Sequence, residues 1–154
     1  MRSFITLTAC LLITNYLAAQ STINYGSLAT FSENGNLQIV VEIPAGTNKK
    51  LEYNYDTNTF PVDIKDGKER IINFLPYPGN YGFIPSTMMD RVRGGDGDAL
   101  DVLVLSQHSA TQTILEVIPI ALLNLIDNGE IDSKIIAVPI NPNHRVISAA
   151  SYSQ

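Results

Sequence analysis

A run of carboxylates is the strongest chemical signal in the sequence. Asp96, Asp98 and Asp101 fall within six residues, on a glycine-rich segment that leads into an apolar run. Like charges so close together resist joint ionisation unless cations neutralise them. The run therefore predicts a divalent-cation site, with a solvated turn as the alternative. An EF-hand loop is excluded, because it needs glycine and glutamate where Asp101 and Gln107 stand.

A second acidic segment, Asp127-Asn128-Gly129-Glu130, is followed closely by Asp132 and Lys134. Asp132 and Lys134 lie two residues apart, so they share one face of an extended segment. The first four residues are also typical of an ordinary hairpin turn, which remains the alternative.

Two further segments carry groups that suit an anionic ligand. Lys50 and Glu52 alternate around Leu51 and so point to one side of a strand, although a solvated strand face explains this equally well. Tyr77 and Tyr81 lie in a stiff segment rich in proline and glycine, where their hydroxyls could contact phosphate oxygens or simply pack in a turn.

Composition excludes several classes of protein. The 154 residues contain 10 Lys and Arg against 15 Asp and Glu, a net charge of −5, with no basic run. Such a chain is a poor nucleic-acid binder, and we expect no nucleic-acid partner. The single cysteine, Cys10, allows neither an internal disulfide nor a Cys-rich zinc site. The two histidines, His108 and His144, are in polar loops and are expected at the surface.

Short runs rich in Val, Ile and Tyr, separated by Gly, Pro, Asn and Asp, predict a single mostly-β domain, a small barrel or sandwich. The predicted strands are Leu37–Ile43, Lys50–Tyr55, Phe60–Ile64, Arg70–Phe74, Asp101–Leu105, Thr113–Ala121 and Ile135–Ile140. Residues 20–36 are predicted to be a polar lead-in, and Ala121–Leu125 at most one helical turn.

The first 19 residues have the layout of a secretory signal peptide. Arg2 supplies the positive charge, Phe4–Leu17 is mostly apolar, and Ala18 and Ala19 precede a cleavage point near Gln20. The alternatives are an uncleaved anchor, a lipoprotein signal or a misassigned start. We therefore expect a periplasmic or extracellular protein with no membrane partner after cleavage, and a cytoplasmic one if residues 1–19 are not a signal.

Together, these motifs resemble the soluble, Mg²⁺-dependent inorganic pyrophosphatases that fold as an OB barrel. The match rests on Asp96-x-Asp98-x-x-Asp101-Val102, then on Glu42-Ile43-Pro44, Lys50-x-Glu52, Tyr77-Pro78-x-Asn80-Tyr81-Gly82 and Asp127-x₄-Asp132-x-Lys134, all in the order of the family. It covers about residues 37–151. The resemblance implies a mainly β fold, a small closed five-stranded barrel of OB type with extra hairpin strands.

The resemblance also implies a function and a set of site residues. The function is hydrolysis of inorganic diphosphate to two orthophosphates, by in-line attack of metal-activated water, with several Mg²⁺ ions or Mn²⁺ as a substitute. Asp98 would be the catalytic proton acceptor. The implied metal ligands are Asp96, Asp101, Asp127, Asp132, Glu42 and Glu52, and the implied substrate-binding residues are Lys50, Arg70, Tyr77, Tyr81 and Lys134. Members of the family also assemble, so a homo-oligomer is expected.

One departure from the family concerns the end of the chain. The family continues into a helical segment with a phosphate-binding Tyr-Lys pair, whereas this sequence stops at Gln154. We therefore expect residues 37–154 to form a barrel domain that is incomplete at its C-terminus, and a weak or unstable enzyme. The alternative function is a non-catalytic remnant that binds metal or phosphate.

Overall fold

The computed structural model describes residues 23–149 and 151. The predicted signal peptide, residues 1–19, lies outside them. The described part contains nine strands and three single 3-10 turns. The strands are β1 (Leu37–Ile43), β2 (Ile64–Lys65), β3 (Lys68–Glu69), β4 (Asn80–Phe83), β5 (Asp101–Val104), β6 (Ile114–Leu123), β7 (Ile126–Asp127), β8 (Glu130–Ile131) and β9 (Lys134–Pro139).

Five of the strands close into a barrel in the order β1-β4-β5-β9-β6. β1 pairs antiparallel with both β4 and β6, and β5 is parallel to β9, with Asp101 opposite Lys134. The long strand β6 completes the ring by pairing antiparallel with β9. The predicted fold class, a mainly β protein with a five-stranded barrel of OB type and extra hairpins, is therefore confirmed.

The barrel core follows the alternation of side chains along β1. Ile39 and Val41 are fully buried and pack with residues of the other barrel strands. Val40, which points to the opposite face, is equally buried because it packs against Tyr53 and Phe83. Both faces of β1 are therefore covered, which explains why its apolar run is nearly continuous rather than alternating.

Two hairpins stand outside the barrel, and each turns through two residues with positive φ. The β7–β8 hairpin turns at Asn128 (φ 49°) and Gly129 (φ 91°), and β2–β3 at Asp66 (φ 53°) and Gly67 (φ 73°). Asn-Gly and Asp-Gly suit such turns because both central residues must adopt left-handed backbone angles. The hairpin reading of residues 127–130 is thus confirmed.

Three predicted strands, at residues 50–55, 60–64 and 70–74, were largely wrong. Apart from the short β2–β3 hairpin, this region pairs through isolated bridges, such as Leu51 with Val62 and Asn54 with Thr59. Asn58 adopts a positive φ of 54°, and Pro61 has no N–H to donate. The region is therefore an irregular meander rather than a set of regular strands.

One further strand was not predicted, and one other local prediction was wrong. The Pro/Gly-rich segment from Tyr77 contains the barrel strand β4, where Gly82 is required because a Cβ there would overlap the carbonyl oxygen of Val40. The helical turn expected at Ala121–Leu125 is instead the end of β6, which runs to Leu123.

The described part of the lead-in is more ordered than its polarity predicted. Tyr25–Ser27 forms a 3-10 turn capped by Asn24, and the ring of Tyr25 packs edge-on against Tyr53 and Phe60. Across residues 23–149 and 151, no helix has the length and apolar character needed to cross a membrane.

Candidate active site

Two adjoining cavities open on one side of the barrel. The larger has a volume of about 420 Å³ and the smaller about 190 Å³, and they share four lining residues, Lys50, Tyr81, Asp98 and Asp101. Ten of the twelve candidate residues line the larger cavity, namely Lys50, Arg70, Tyr77, Tyr81, Asp96, Asp98, Asp101, Asp127, Asp132 and Lys134. The other two, Glu42 and Glu52, line the smaller cavity.

The glycine-rich loop before β5 positions the first acidic cluster. Asp96 Oδ1 accepts a hydrogen bond of 2.9 Å from the backbone N–H of Asp98, which fixes the turn between the two residues. Burial, followed by the charge of Asp96, raises the pKa of the Asp98 carboxyl above its usual range. A cation bound nearby would therefore favour the ionised form of Asp98.

A network centred on Asp101 links three barrel strands. Lys134 Nζ lies 2.7 Å from Asp101 Oδ2 and 2.7 Å from Asp132 Oδ1, and the Tyr81 hydroxyl donates to the same Asp101 oxygen. Burial would lower the pKa of Lys134, but these two hydrogen bonds outweigh it and raise the pKa overall. Burial and then the Asp101 charge raise the pKa of Tyr81, so the phenol stays protonated.

The β7–β8 hairpin brings a second acidic segment to the rim of the cavity. Asp127 lines the larger cavity together with Asn128 and Glu130. Asn128 and Glu130 were not among the predicted site residues. The sequence did contain a signal for them, because both belong to the Asp-Asn-Gly-Glu segment. That segment is also typical of an ordinary turn, so Asn128 and Glu130 were not assigned to the site.

Asp63 is a residue that sequence reasoning missed. Its Oδ2 lies 3.1 Å from Arg70 Nη1 and 3.7 Å from Lys50 Nζ, so one carboxylate orients both predicted phosphate-binding cations. Desolvation would raise the pKa of Asp63, but the hydrogen bond from Arg70 and the charge of Lys50 lower it overall. No local motif marks Asp63, because its partners are brought to it by the irregular meander.

Glu42 is the most buried acid of the site, with 7% of its surface exposed. Its Oε1 accepts a hydrogen bond of 2.6 Å from the backbone N–H of Tyr53. Burial raises the pKa of Glu42 to about 8, so the side chain is protonated at neutral pH. Neighbouring Glu52 is more exposed and forms a 3.1 Å ion pair with Lys50.

The donors suit hard divalent cations, because every acidic ligand candidate offers carboxylate oxygen. Among the residues that the structure describes, no three acidic, histidine or cysteine side chains stand close enough together to hold one ion. Lys134 occupies one oxygen each of Asp101 and Asp132, so these two carboxylates could join in holding an ion only with their other oxygens or after a shift of the lysine.

The two histidines lie apart from the acidic cavities. His108 and His144 are exposed, as expected, and line a small separate cleft, where the His108 ring contacts the carbonyl oxygen of Ala45 at 3.0 Å.

A small OB-type barrel gathers aspartates, lysines and tyrosines into one cavity, a set of groups that suits divalent cations and phosphate oxygens. The sequence model of the inorganic pyrophosphatase family matches residues 39–153. The chain therefore belongs to the inorganic pyrophosphatase family, whose members depend on metal ions.

Curated relatives bear the same name. The inorganic pyrophosphatase of Synechocystis is 36% identical over 106 residues, which are 68% of this chain and 57% of the relative. That of Neisseria meningitidis serogroup A is 38% identical over 108 residues, 70% of this chain and 55% of the relative. The chain thus spans little more than half the length of these relatives.

Solved structures agree with the fold. The inorganic pyrophosphatase of Thermus thermophilus aligns with a TM-score of 0.66 at 32% identity, covering 79% of this chain and 65% of that one. The Neisseria gonorrhoeae enzyme aligns with a TM-score of 0.62 at 38% identity, covering 77% and 64%.

Proposed function

We propose that this chain hydrolyses inorganic diphosphate to two orthophosphates with Mg²⁺, and that Mn²⁺ can replace the Mg²⁺. The observation that carries the proposal is the larger cavity, where five aspartates and three basic side chains face one volume of about 420 Å³. Membership of the inorganic pyrophosphatase family supports the same reaction.

The charge of the cavity explains why cations are needed. Diphosphate is strongly anionic, and the aspartates alone would repel it. Asp96, Asp101, Asp127 and Asp132 would hold the cations in the larger cavity, and Glu42 and Glu52 would add ligands from the smaller one. Bound divalent cations would supply charge neutralisation at the phosphate oxygens and an acidified water.

The basic and phenolic groups would bind the phosphates themselves. Lys50 and Arg70 are oriented by Asp63 and line the larger cavity beside Tyr77 and Tyr81. Lys134 also lines this cavity and is held by the carboxylates of Asp101 and Asp132. Fixed cations placed in this way neutralise the charge that develops as the phosphorus–oxygen bond breaks.

Asp98 would take the proton in the reaction. It lines both cavities, and its raised pKa makes it a better base than an ordinary surface aspartate. Water attacks phosphorus in line with the departing phosphate, and Asp98 accepts the proton that the water loses. Glu42, protonated at neutral pH, would have to release its own proton before it could bind a cation.

Asp101→Asn should raise the Mg²⁺ concentration needed for half-maximal activity. Asp101 lies at the centre of the hydrogen-bonded network, and the substitution removes one negative charge from the proposed metal site. Phosphate release from diphosphate, measured over a Mg²⁺ series, gives this concentration. The exposed hairpin residue Asp66 supplies the control, since Asp66→Asn removes the same charge outside both cavities. An unchanged Mg²⁺ requirement in Asp101→Asn would contradict the assignment.

The experiment that tests the proposed function sets phosphate release beside isothermal titration with Mg²⁺. Hydrolysis that depends on Mg²⁺ supports the proposal. Saturable binding of Mg²⁺ and phosphate without any release would favour the alternative function, a non-catalytic binding protein.

We also propose export of the protein and removal of residues 1–19. Arg2, the apolar stretch after it and Ala18-Ala19 support this proposal. Mass spectrometry of protein from its native host should find an N-terminus at or near Gln20. An intact Met1 in the cytosolic fraction would instead favour a cytoplasmic protein.

We further propose that the protein self-associates through an exposed aliphatic strip at the end of β6 and the hairpin after it. The strip consists of Leu122, Leu123, Leu125, Ile126 and Ile131, which are 38–76% exposed. The segment 117–126, which carries four of these five residues, contains no charged residue, so its aliphatic side chains can meet those of a second copy there.

Ile126→Gln should therefore lower the weight-average mass that sedimentation measures at high protein concentration. Phe74→Gln is the matched control, because Phe74 is 90% exposed but lies outside the strip. Equal sedimentation of both variants and the parent chain would show that the strip is not an interface.

A further inference from the structure

Two acid-bearing segments meet at the rim of the larger cavity. The signature loop, residues 94–98, carries Asp96 and Asp98, and the acidic hairpin, residues 126–131, carries Asp127 and Glu130. The segments are joined by a backbone hydrogen bond of 2.6 Å from the Ile131 N–H to the Gly94 carbonyl. Their like charges oppose this contact, so something must offset the repulsion.

Arg91 contacts both segments. Its Nη1 lies 3.9 Å from Glu130 Oε1 on the acidic hairpin. On the signature loop, a Cβ built at Gly97 would overlap Arg91 Nε and lie 2.7 Å from both Cζ and Nη2. The guanidinium therefore lies directly against the backbone of Gly97, whose φ of 89° also favours glycine. Arg91 is not among the residues that line either cavity.

The backbone around Arg91 is fixed by several hydrogen bonds. Asp90 Oδ1 accepts from the Val92 N–H at 2.9 Å, and the Asp90 carbonyl accepts from the Gly95 N–H at 3.0 Å. Met89 pairs with the signature loop, donating to the Asp98 carbonyl at 2.7 Å and accepting from the Gly97 N–H at 2.9 Å. The start of the Arg91 side chain is thus held in a defined place relative to the loop.

We propose that Arg91 is a positioning residue that holds the acidic hairpin against the signature loop, so that both are assembled before divalent cations bind. This inference rests on the proposed function, because that function assigns the cations to these segments. A simple charge effect has the opposite sign, since a cation near the site repels Mn²⁺ or Mg²⁺. The sign of the change on substitution therefore separates the two roles.

The test is a titration with Mn²⁺, followed by the electron paramagnetic resonance signal of the free ion. Arg91→Gln should weaken Mn²⁺ binding about two- to fivefold, the range expected when an exposed ion pair is lost. Arg93→Gln is the matched control, because Arg93 lies in the same 3-10 turn, is 88% exposed and carries the same charge. It should leave Mn²⁺ binding unchanged or slightly tighter. Tighter binding by Arg91→Gln, or equal effects of the two variants, would overturn the proposal.

Two further measurements exclude a merely structural effect. In the metal-free protein, Arg91→Gln should speed the amide exchange of Ile131 about two- to fivefold, because the Ile131 N–H donates to the signature loop. Amide exchange within the barrel strands should not change. Glu130→Gln should weaken Mn²⁺ binding less in the Arg91→Gln background than in the parent chain, because the ion pair between the two residues is already lost there. Strictly additive losses or unchanged Ile131 exchange would overturn the positioning role.

The outcome is distinguishable from failure of the proposed function. A parent chain that binds Mn²⁺ but releases no phosphate would refute hydrolysis and leave the comparison of Arg91 and Arg93 intact. A parent chain that binds no Mn²⁺ would overturn both.

Discussion

Asp98→Asn is expected to lower the turnover of diphosphate by about 10²–10⁴-fold, the usual cost of losing a general base. Asparagine keeps the size of the side chain but cannot accept the proton. Asp101 is the other described acid that lines both cavities, but Lys134 and Tyr81 already donate to its carboxylate. It is therefore not placed in the same way to replace Asp98. The measurement is phosphate release at saturating Mg²⁺.

Measurement of metal binding distinguishes a general base from a metal ligand. Calorimetric titration should find that Asp98→Asn still binds Mg²⁺, whereas Asp101→Asn binds it more weakly. The remote variant Asp66→Asn should match the parent in both assays. If Asp98→Asn hydrolyses diphosphate as fast as the parent chain, the role assigned to Asp98 is wrong.

Glu42→Gln is expected to make the metal-free protein more stable at alkaline pH. The folded state raises the pKa of Glu42 from 4.5 to about 8, so the folded protein holds a proton that the unfolded chain releases. The contribution of Glu42 to the free energy of unfolding is fully present below pH 4.5 and is lost as the pH rises through 8. The loss amounts to about 4–5 kcal/mol, at about 1.4 kcal/mol per pKa unit.

Urea unfolding in the presence of a chelator, at pH 5 and at pH 9, measures this effect. The parent should lose about 4 kcal/mol more than Glu42→Gln between the two pH values, because the glutamine amide can still accept from the Tyr53 N–H without titrating. Glu52→Gln, an exposed neighbour, should behave as the parent does. Parallel pH profiles for the parent and Glu42→Gln would show that Glu42 is not held protonated.

The residues that could be predicted from the sequence share a simple local pattern. Asp96, Asp98 and Asp101 lie on one glycine-rich loop at the start of β5, so their convergence follows from a few bonds of backbone. Lys134 could be joined to them only through the family resemblance, because its position opposite Asp101 depends on the parallel pairing of β5 and β9.

The residues that were missed depend on tertiary structure. Asp63 contacts Lys50 and Arg70 because an irregular meander folds back on itself, and no period of two or of 3.6 residues marks such a segment. Strand β4 was missed for a related reason. Its Pro/Gly-rich surroundings resemble a turn, whereas Gly82 is selected by its close contact with Val40 of the neighbouring strand.

The most direct test of hydrolysis is the ³¹P NMR spectrum of diphosphate incubated with the purified chain and Mg²⁺. We expect the diphosphate resonance to be replaced by that of orthophosphate, at a rate that scales with protein concentration, stops on chelation of Mg²⁺ and is lost in Asp98→Asn. A diphosphate resonance that persists in the presence of Mg²⁺, with protein that binds the metal, would contradict the proposed activity.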